Sequence, residues 1–187
     1  LCFTWALVFG QDGKFRRENG RFYASTTADL DGDGKIEIIG VGQVSSETFK
    51  HAGLVTLLKL EEDGFSQYGE FSFHILHQGT KLPTRIRSVC TLPSKTGNKW
   101  ELFLVGRGGE DDMGVGFLYH AQILKNKILT RGVTIISQPG LKANHGYPLT
   151  LADLDNDGTK EVIYGGFYTD KNKDWPDVRV FKYKKDT

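Results

Sequence analysis

Cysteine is scarce in this sequence. Cys2 and Cys90 are the only two in 187 residues, too few to define a disulfide framework, and whether they pair is a question of geometry. Cys90 falls in an expected inner strand, where a lone thiol behaves as a small buried apolar residue. An excess of charge of either sign is also missing: 24 Lys and Arg stand against 23 Asp and Glu, a net charge of +1. That balance gives no electrostatic ground for nucleic acid or an anionic membrane as a partner. No apolar run is long enough to insert in a membrane as a helix. The mostly apolar stretch Leu1 to Gly10 is too short and lacks the basic start of a signal peptide, so it reads as a strand. The chain begins at Leu1 rather than Met, as expected of a mature form, an excised domain or a fragment. No Asn-x-Ser/Thr sequon occurs, which weighs slightly against a heavily N-glycosylated ectodomain.

Signatures of catalysis are missing too. The five histidines, His51, His74, His77, His120 and His145, show no metalloprotease or zinc-finger spacing. There is no Gly-x-Ser-x-Gly elbow, phosphate-binding loop or dinucleotide fingerprint. Gly106-Arg107-Gly108-Gly109 lacks the Lys-Ser/Thr that would follow in a phosphate loop and reads as a strand end. Glu110, Asp111 and Asp112 share one loop, and paired carboxylates can hydrolyse glycosides; three neighbouring acids on a loop are more simply solvated. The expectation is a protein that is not an enzyme.

What is present is a folded, aromatic-rich chain, 39% apolar and 12% aromatic, long enough for one sizeable core. Two stretches organise it. Asp29-Leu30-Asp31-Gly32-Asp33-Gly34-Lys35-Ile36-Glu37 recurs as Asp153-Leu154-Asp155-Asn156-Asp157-Gly158-Thr159-Lys160-Glu161. Carboxylates at alternate positions of a tight turn can converge on one hard cation. Like charges ~4 Å apart cost about 4 kcal/mol near a protein surface, so four acids in nine residues call for a counter-ion. The expected calcium ligands are Asp29, Asp31, Asp33, the Lys35 carbonyl and Glu37, then Asp153, Asp155, Asp157, the Thr159 carbonyl and Glu161. Gly34 and Gly158 would make the bend. An EF-hand is excluded, because position twelve is Gly40 in one copy and Tyr164 in the other, and strands rather than helices follow.

Aligning on the ninth position exposes a third, degenerate copy. Glu37, Glu101 and Glu161 lie 64 and 60 residues apart, and each has a Gly five residues later: Gly42, Gly106 and Gly166. The middle copy, Pro93 to Glu101, has lost all three Asp and is expected to hold no ion, with Lys95 where a ligand should be. A period near 62 suits four short strands with loops, the size of one propeller blade. Strands are expected at Phe22 to Ala28, Lys35 to Val41, Leu54 to Leu60 and Phe71 to His77 in the first repeat. The second should hold Ile86 to Leu92, Trp100 to Val105, Val115 to Ala121 and Gly132 to Ser137. The third should hold Tyr147 to Ala152, Lys160 to Tyr164 and Val178 to Tyr183. Either Phe3 to Phe9 completes that blade or, because Gln11-Asp12-Gly13-Lys14-Phe15 is analogous to Glu62-Asp63-Gly64-Phe65, Leu7 to Phe15 is a third-to-outer strand hairpin, which favours a fragment.

Ala28-Asp29 to Glu37 followed by Gly40-Val41-Gly42, and Ala152-Asp153 to Glu161 followed by Gly165-Gly166, resemble the FG-GAP or VCBS-type repeats of integrin α-subunit propellers and many surface proteins. The resemblance covers most of the chain. It implies a structural calcium ion in the hairpin between the first two strands of a blade. Departures are the ninth-position Glu, where integrin-like loops usually carry Asp, and eroded Phe-Gly and Gly-Ala-Pro signatures at Phe22-Tyr23 and Gly165-Gly166-Phe167.

The resulting expectation is an all-β chain, a β-propeller segment of four-stranded antiparallel blades. About three blades would lie in residues 1–187, as repeats near 20–80, 84–138 and 145–187. Known propellers use roughly 4–8 blades, so either copies combine as a homo-oligomer or further blades belong to a longer chain. Its function would be a calcium-stabilised binding or adhesion module for a protein or glycan ligand, extracellular or on the cell surface, where weak calcium loops fill. The alternatives are a carbohydrate-binding lectin, a polymerising or partner-docking surface protein, and the propeller scaffold of a polysaccharide lyase or hydrolase. Variable loops on a rigid frame are where recognition sits, which singles out His51, Phe167, Tyr168 and Trp175 as candidate ligand contacts.

Overall fold

A computed structural model describes residues 18–45, 50–62, 64–94, 99–109, 114–136, 142–170 and 173–182. Every element among them is a β-strand. The first sheet is a meander of β1 (Gly20–Ala28), β2 (Glu37–Val44), β3 (Ala52–Glu61) and β4 (Gly64–Phe73). A short hairpin, β5 (Ile75–His77) and β6 (Thr80–Leu82), leads to the second meander. That sheet contains β7 (Thr84–Pro93), β8 (Lys99–Gly108), β9 (Val115–Leu124) and β10 (Lys127–Ile135). The third sheet has three strands, β11 (Lys142–Ala152), β12 (Glu161–Asp170) and β13 (Lys173–Phe181). All pairings are antiparallel.

The apolar pattern explains the stacking of the sheets. In β8, Leu102 and Leu104 face a core shared with Ile39, Val41, Val55 and Leu57 of the first sheet. Phe103 and Val105, on the other face, join Val162 and Tyr164 of the third. A strand buried on both faces needs a continuous apolar run, which is why Leu102 to Val105 does not alternate. Each such side chain contributes about 2 kcal/mol on burial. Phe73 stacks on Tyr119 with ring centres 4.4 Å apart and meets Phe117 edge-on at 6.4 Å, joining the first two sheets.

The outer strands lie elsewhere than their sequence suggests. β4 follows β3 through a tight turn and begins at Gly64, whose φ is 133°, so it starts seven residues before Phe71. The segment Phe71 to His77 is two elements, the end of β4 and the separate strand β5. Its hairpin turns at Gln78 and Gly79, both with positive φ (49° and 78°), the backbone of a two-residue I′ turn. Thr84 clamps this hairpin: its Oγ1 accepts from Ile75 N at 3.0 Å and donates to Leu82 O at 2.9 Å. Likewise β10 begins at Lys127, five residues before Gly132. The expected strand Phe3 to Phe9 lies outside the described residues, as do Cys2, Lys95, Glu110, Asp111 and Asp112. Cys90 is half-buried beside the second core rather than fully inside it.

The Gly that follows each Glu has a steric cause. β1 and β7 bulge between Phe22 and Ala24 and between Ile86 and Ser88, which drives their backbone toward the neighbouring strand. A Cβ on Gly42 would sit 1.8 Å from Arg21 O, and one on Gly106 2.1 Å from Arg85 O. β11 shifts register at the matching place, between Gly146 and Leu149, near Gly166.

Candidate metal centres

Both acidic stretches form the loop between the first two strands of a sheet, β1–β2 and β11–β12. Their carboxylates first fold the loop itself. Asp29 Oδ1 accepts from Gly32 N at 2.8 Å and Oδ2 from Gly34 N at 3.0 Å. In the second loop Asp153 accepts from Asp157 N at 3.1 Å and Gly158 N at 2.9 Å. Asp33 Oδ1 takes Lys35 N at 2.8 Å, and Asp157 Oδ1 takes Thr159 N at 2.6 Å, fixing the seventh residue of each loop. Gly34 and Gly158 have φ of 83° and 79°, as the bend requires. The fourth positions, Gly32 and Asn156, are also left-handed at 77° and 56°, a constraint met by Gly in one loop and by Asn, which tolerates it, in the other.

The ninth residue closes the site from below. Glu37 and Glu161 are each 1% exposed. One oxygen of each accepts a backbone N–H, from Leu30 at 2.6 Å and Leu154 at 3.0 Å. The other, Oε1 in both, is buried without a hydrogen-bond partner. Burial raises the Glu37 carboxyl above its usual range; the Leu30 N–H opposes this and the Asp31 charge adds to it. Asp29, Asp31 and Asp33 in one loop, and Asp153, Asp155 and Glu161 in the other, each bring ligand oxygens within 4.8 Å of one another. An all-oxygen set with a buried, under-satisfied carboxylate fits a hard divalent cation.

One feature was not legible as a motif. Lys59 on β3 reaches into the first loop, ion-paired with Asp31 and 3.5 Å from Asp33 Oδ2 and 3.7 Å from Glu37 Oε1. Lys182, just after β13, repeats this in the second, 2.5 Å from Asp155 and 3.7 Å from Glu161 Oε1. The registers Gly42↔Leu54 and Gly166↔Asp177 place the two lysines at equivalent third-strand positions. Their ammonium groups hold Asp31 and Asp155 below the usual carboxylate range, and are themselves raised. In the middle sheet, by the register Gly106↔Phe117, the equivalent residue is Gln122. There Gln122 Nε2 donates to Glu101 Oε1 at 2.9 Å, and His120 Nε2 lies 2.7 Å from Oε2. Side chains alone satisfy Glu101, in the copy that has lost its Asp residues.

The first loop is also tied to the second sheet. Leu30 is buried in the shared core, and Trp100 Nε1 donates to Asp29 O at 2.8 Å. A cavity of about 500 Å³ lined by Asp33, Glu37 and Lys59 opens beside it.

The candidate ligand contacts do not form one face. Phe167 and Tyr168 are successive residues of β12 and point to opposite sides of the sheet. Tyr168 pairs directly with Trp175 on β13, and Trp175 is 48% exposed. By register Trp175 matches Ala52 of the first sheet. His51 lies apart from all three, with Nδ1 2.9 Å from Gln43 Nε2.

The class these features define is an all-β protein of successive antiparallel meanders, two of which carry an acidic hairpin loop closed by a buried Glu. Compared with protein-family models, curated proteins and solved structures, the chain matches none.

Proposed function

We propose that the three sheets are successive blades of a calcium-stabilised β-propeller, a binding or adhesion module without catalysis that works outside the cell or on its surface. The carrying observation is the pair of buried Oε1 atoms of Glu37 and Glu161, which accept no hydrogen bond, have a lysine ammonium only at 3.7 Å, and are aimed into acidic loops at equivalent places. Calcium bound through Asp29, Asp31, Asp33, Glu37 and the Lys35 carbonyl would supply the close ligation that they lack. The second site would use Asp153, Asp155, Asp157, Glu161 and the Thr159 carbonyl.

The blade reading rests on the antiparallel meanders, two of four strands and one of three, on their packing through shared cores, and on the acidic loop at the same strand junction in the first and third. Apolar residues left on the surface, Phe22 on the first sheet and Val178 and Val180 on the third, favour further blades or a second copy against these sheets. With dissociation constants of about 10 µM and about 1 mM calcium, each site contributes about 2.7 kcal/mol by mass action, a supply that extracellular calcium provides. Thermal melting with calcium and with EDTA tests the reading: a lower melting temperature in EDTA is expected, and coincident curves would sink it. Asp31→Ala and Asp155→Ala should each reduce the calcium stoichiometry from two to one.

A further inference from the structure

Tyr68, on β4, carries a buried hydroxyl that makes no hydrogen bond among the described residues. Buried polar groups are nearly always paired, so such an atom calls for a partner. Charged groups lie close by. The Lys59 ammonium is 5.7 Å from the ring centre. Burial raises the phenol above its usual range, the Glu37 charge adds to this, and Lys59 opposes it. Tyr68 therefore keeps its proton and offers a neutral hydroxyl, with lone pairs, beside the first acidic loop.

The strand pairing explains why this residue stands there. β3 and β4 pair Leu57 with Gly69 and Leu58 with Gln67, so Tyr68 is the extra residue of a bulge, and bulges re-aim side chains. The second sheet repeats the device. There His120 pairs with Gly132 and Ala121 with Thr130, which makes Arg131 the extra residue. Tyr68 and Arg131 thus hold one position on the outer strands, as Lys59 and Gln122, one residue past Leu58 and Ala121, do on the third strands. In the second sheet the two positions are bonded: Arg131 Nη2 donates to Gln122 Oε1 at 2.8 Å. In the first sheet they are not, because Lys59 turns to Asp31, Asp33 and Glu37 instead.

We propose that the Tyr68 hydroxyl is the berth that receives the Lys59 ammonium when calcium enters the first loop. The ammonium leaves the carboxylates to the ion and donates to the phenol oxygen, which restores in the first sheet the contact that Arg131 and Gln122 make in the second. Lys59 needs such an acceptor because its side chain is only 25% exposed, whereas Lys182, at 65%, can turn to water. An ammonium displaced without an acceptor would oppose the ion twice, through repulsion and through its own lost hydration. Tyr68 is thus a positioning residue that acts on the ion through Lys59. A berth has no use without the ion, so this role deepens the calcium reading and rests on it.

Calorimetric titration of the chelator-treated full chain with calcium tests it, in an Asp155→Ala background that leaves the first loop alone. Tyr68→Phe keeps the ring against the core and removes only the oxygen, and it should weaken calcium binding about fivefold. The same change made together with Lys59→Met should leave the affinity of the Lys59→Met chain unaltered, since no ammonium then needs an acceptor. Calcium affinity unchanged by Tyr68→Phe while Lys59 is present overturns the proposal. An equal loss with and without Lys59 also overturns it, because that marks a role in packing alone. Failure of the calcium reading shows differently: the Asp155→Ala chain would take up no calcium at all, and the berth would fall with it.

Discussion

Lys59 should act as a tethered competitor of the calcium proposed for the first loop, and replacing it should tighten that site. Its ammonium lies 3.5 Å from Asp33 Oδ2 and 3.7 Å from Glu37 Oε1 and is paired with Asp31, so it stands in the space where a divalent ion would share those oxygens. For the ion to enter, the ammonium has to retreat. The nearby Tyr68 ring, whose centre is 5.7 Å from Nζ, offers a polarisable face to retreat over. A doubly charged ion and an ammonium ~6 Å apart in water repel by an amount equivalent to about tenfold in affinity. Lys59→Met keeps the aliphatic stem and removes the charge, so calcium should bind the first loop about tenfold more tightly. Lys182→Met should do the same at the second loop by a smaller factor, because Lys182 is 65% exposed and better screened. Without metal, Lys59→Met should melt below wild type, since four carboxylates then face one another unneutralised. Calorimetric titration of chelator-treated protein measures the first effect, and melting in EDTA the second. A folded Lys59→Met protein with unchanged or weaker calcium affinity would refute the competition.

Gly42→Ala should destabilise by about 3 kcal/mol, at or above the usual range for overpacking, because its Cβ would meet Arg21 O at 1.8 Å; Gly106→Ala should behave alike, whereas Gly132→Ala, with nothing within 4 Å, should be near neutral. Urea denaturation of the three variants tests this, and equal midpoints for Gly42→Ala and Gly132→Ala would contradict the close approach. Trp100 should report the first site alone, since its indole donates to Asp29 O. Calcium-dependent fluorescence should vanish in Trp100→Phe and Asp31→Ala and persist in Asp155→Ala; a signal retained in Trp100→Phe would count against the coupling. Burial pushes the Cys90 thiol up to about 12, so in a Cys2→Ser background it should react slowly with a disulfide reagent at neutral pH and rapidly in denaturant. A native rate equal to the denatured one would contradict its packing against the second core.

The inner strands and the acidic loops were legible because their signals are local. Nine residues with alternating Asp, a Gly at the sixth place and a buried Glu at the ninth state a loop whose bonds run within itself, and the Gly five residues on marks a steric fact of the adjacent bulge. The outer strands were less legible. β4 and β10 lie on sheet margins, with much of their length exposed, so no apolar pattern pins their register, and only turn geometry at Gly64 and Lys125 sets where they begin. Lys59 and Lys182 were out of reach for another reason. They stand 22 and 21 residues beyond the Glu that they approach, and only the strand pairing shows that both occupy one position. A Lys in a strand reads as a solvated residue until that register is known.

The two loops share a sequence grammar but not a setting, and the difference bears on what each ion would do. Leu30, second in the first loop, is 1% exposed and packs into the core shared with the second sheet, while Leu154, its counterpart, is 54% exposed. Trp100 adds a hydrogen bond from the second sheet to the first loop. An ion in the first loop would therefore stiffen a hairpin and a joint between sheets together, whereas at the second loop the exposed Leu154 makes no such joint. The same asymmetry supports the proposal of further blades. A sheet packed on the third as the second packs on the first would cover Leu154 as Leu30 is covered, and would make the second loop a joint as well.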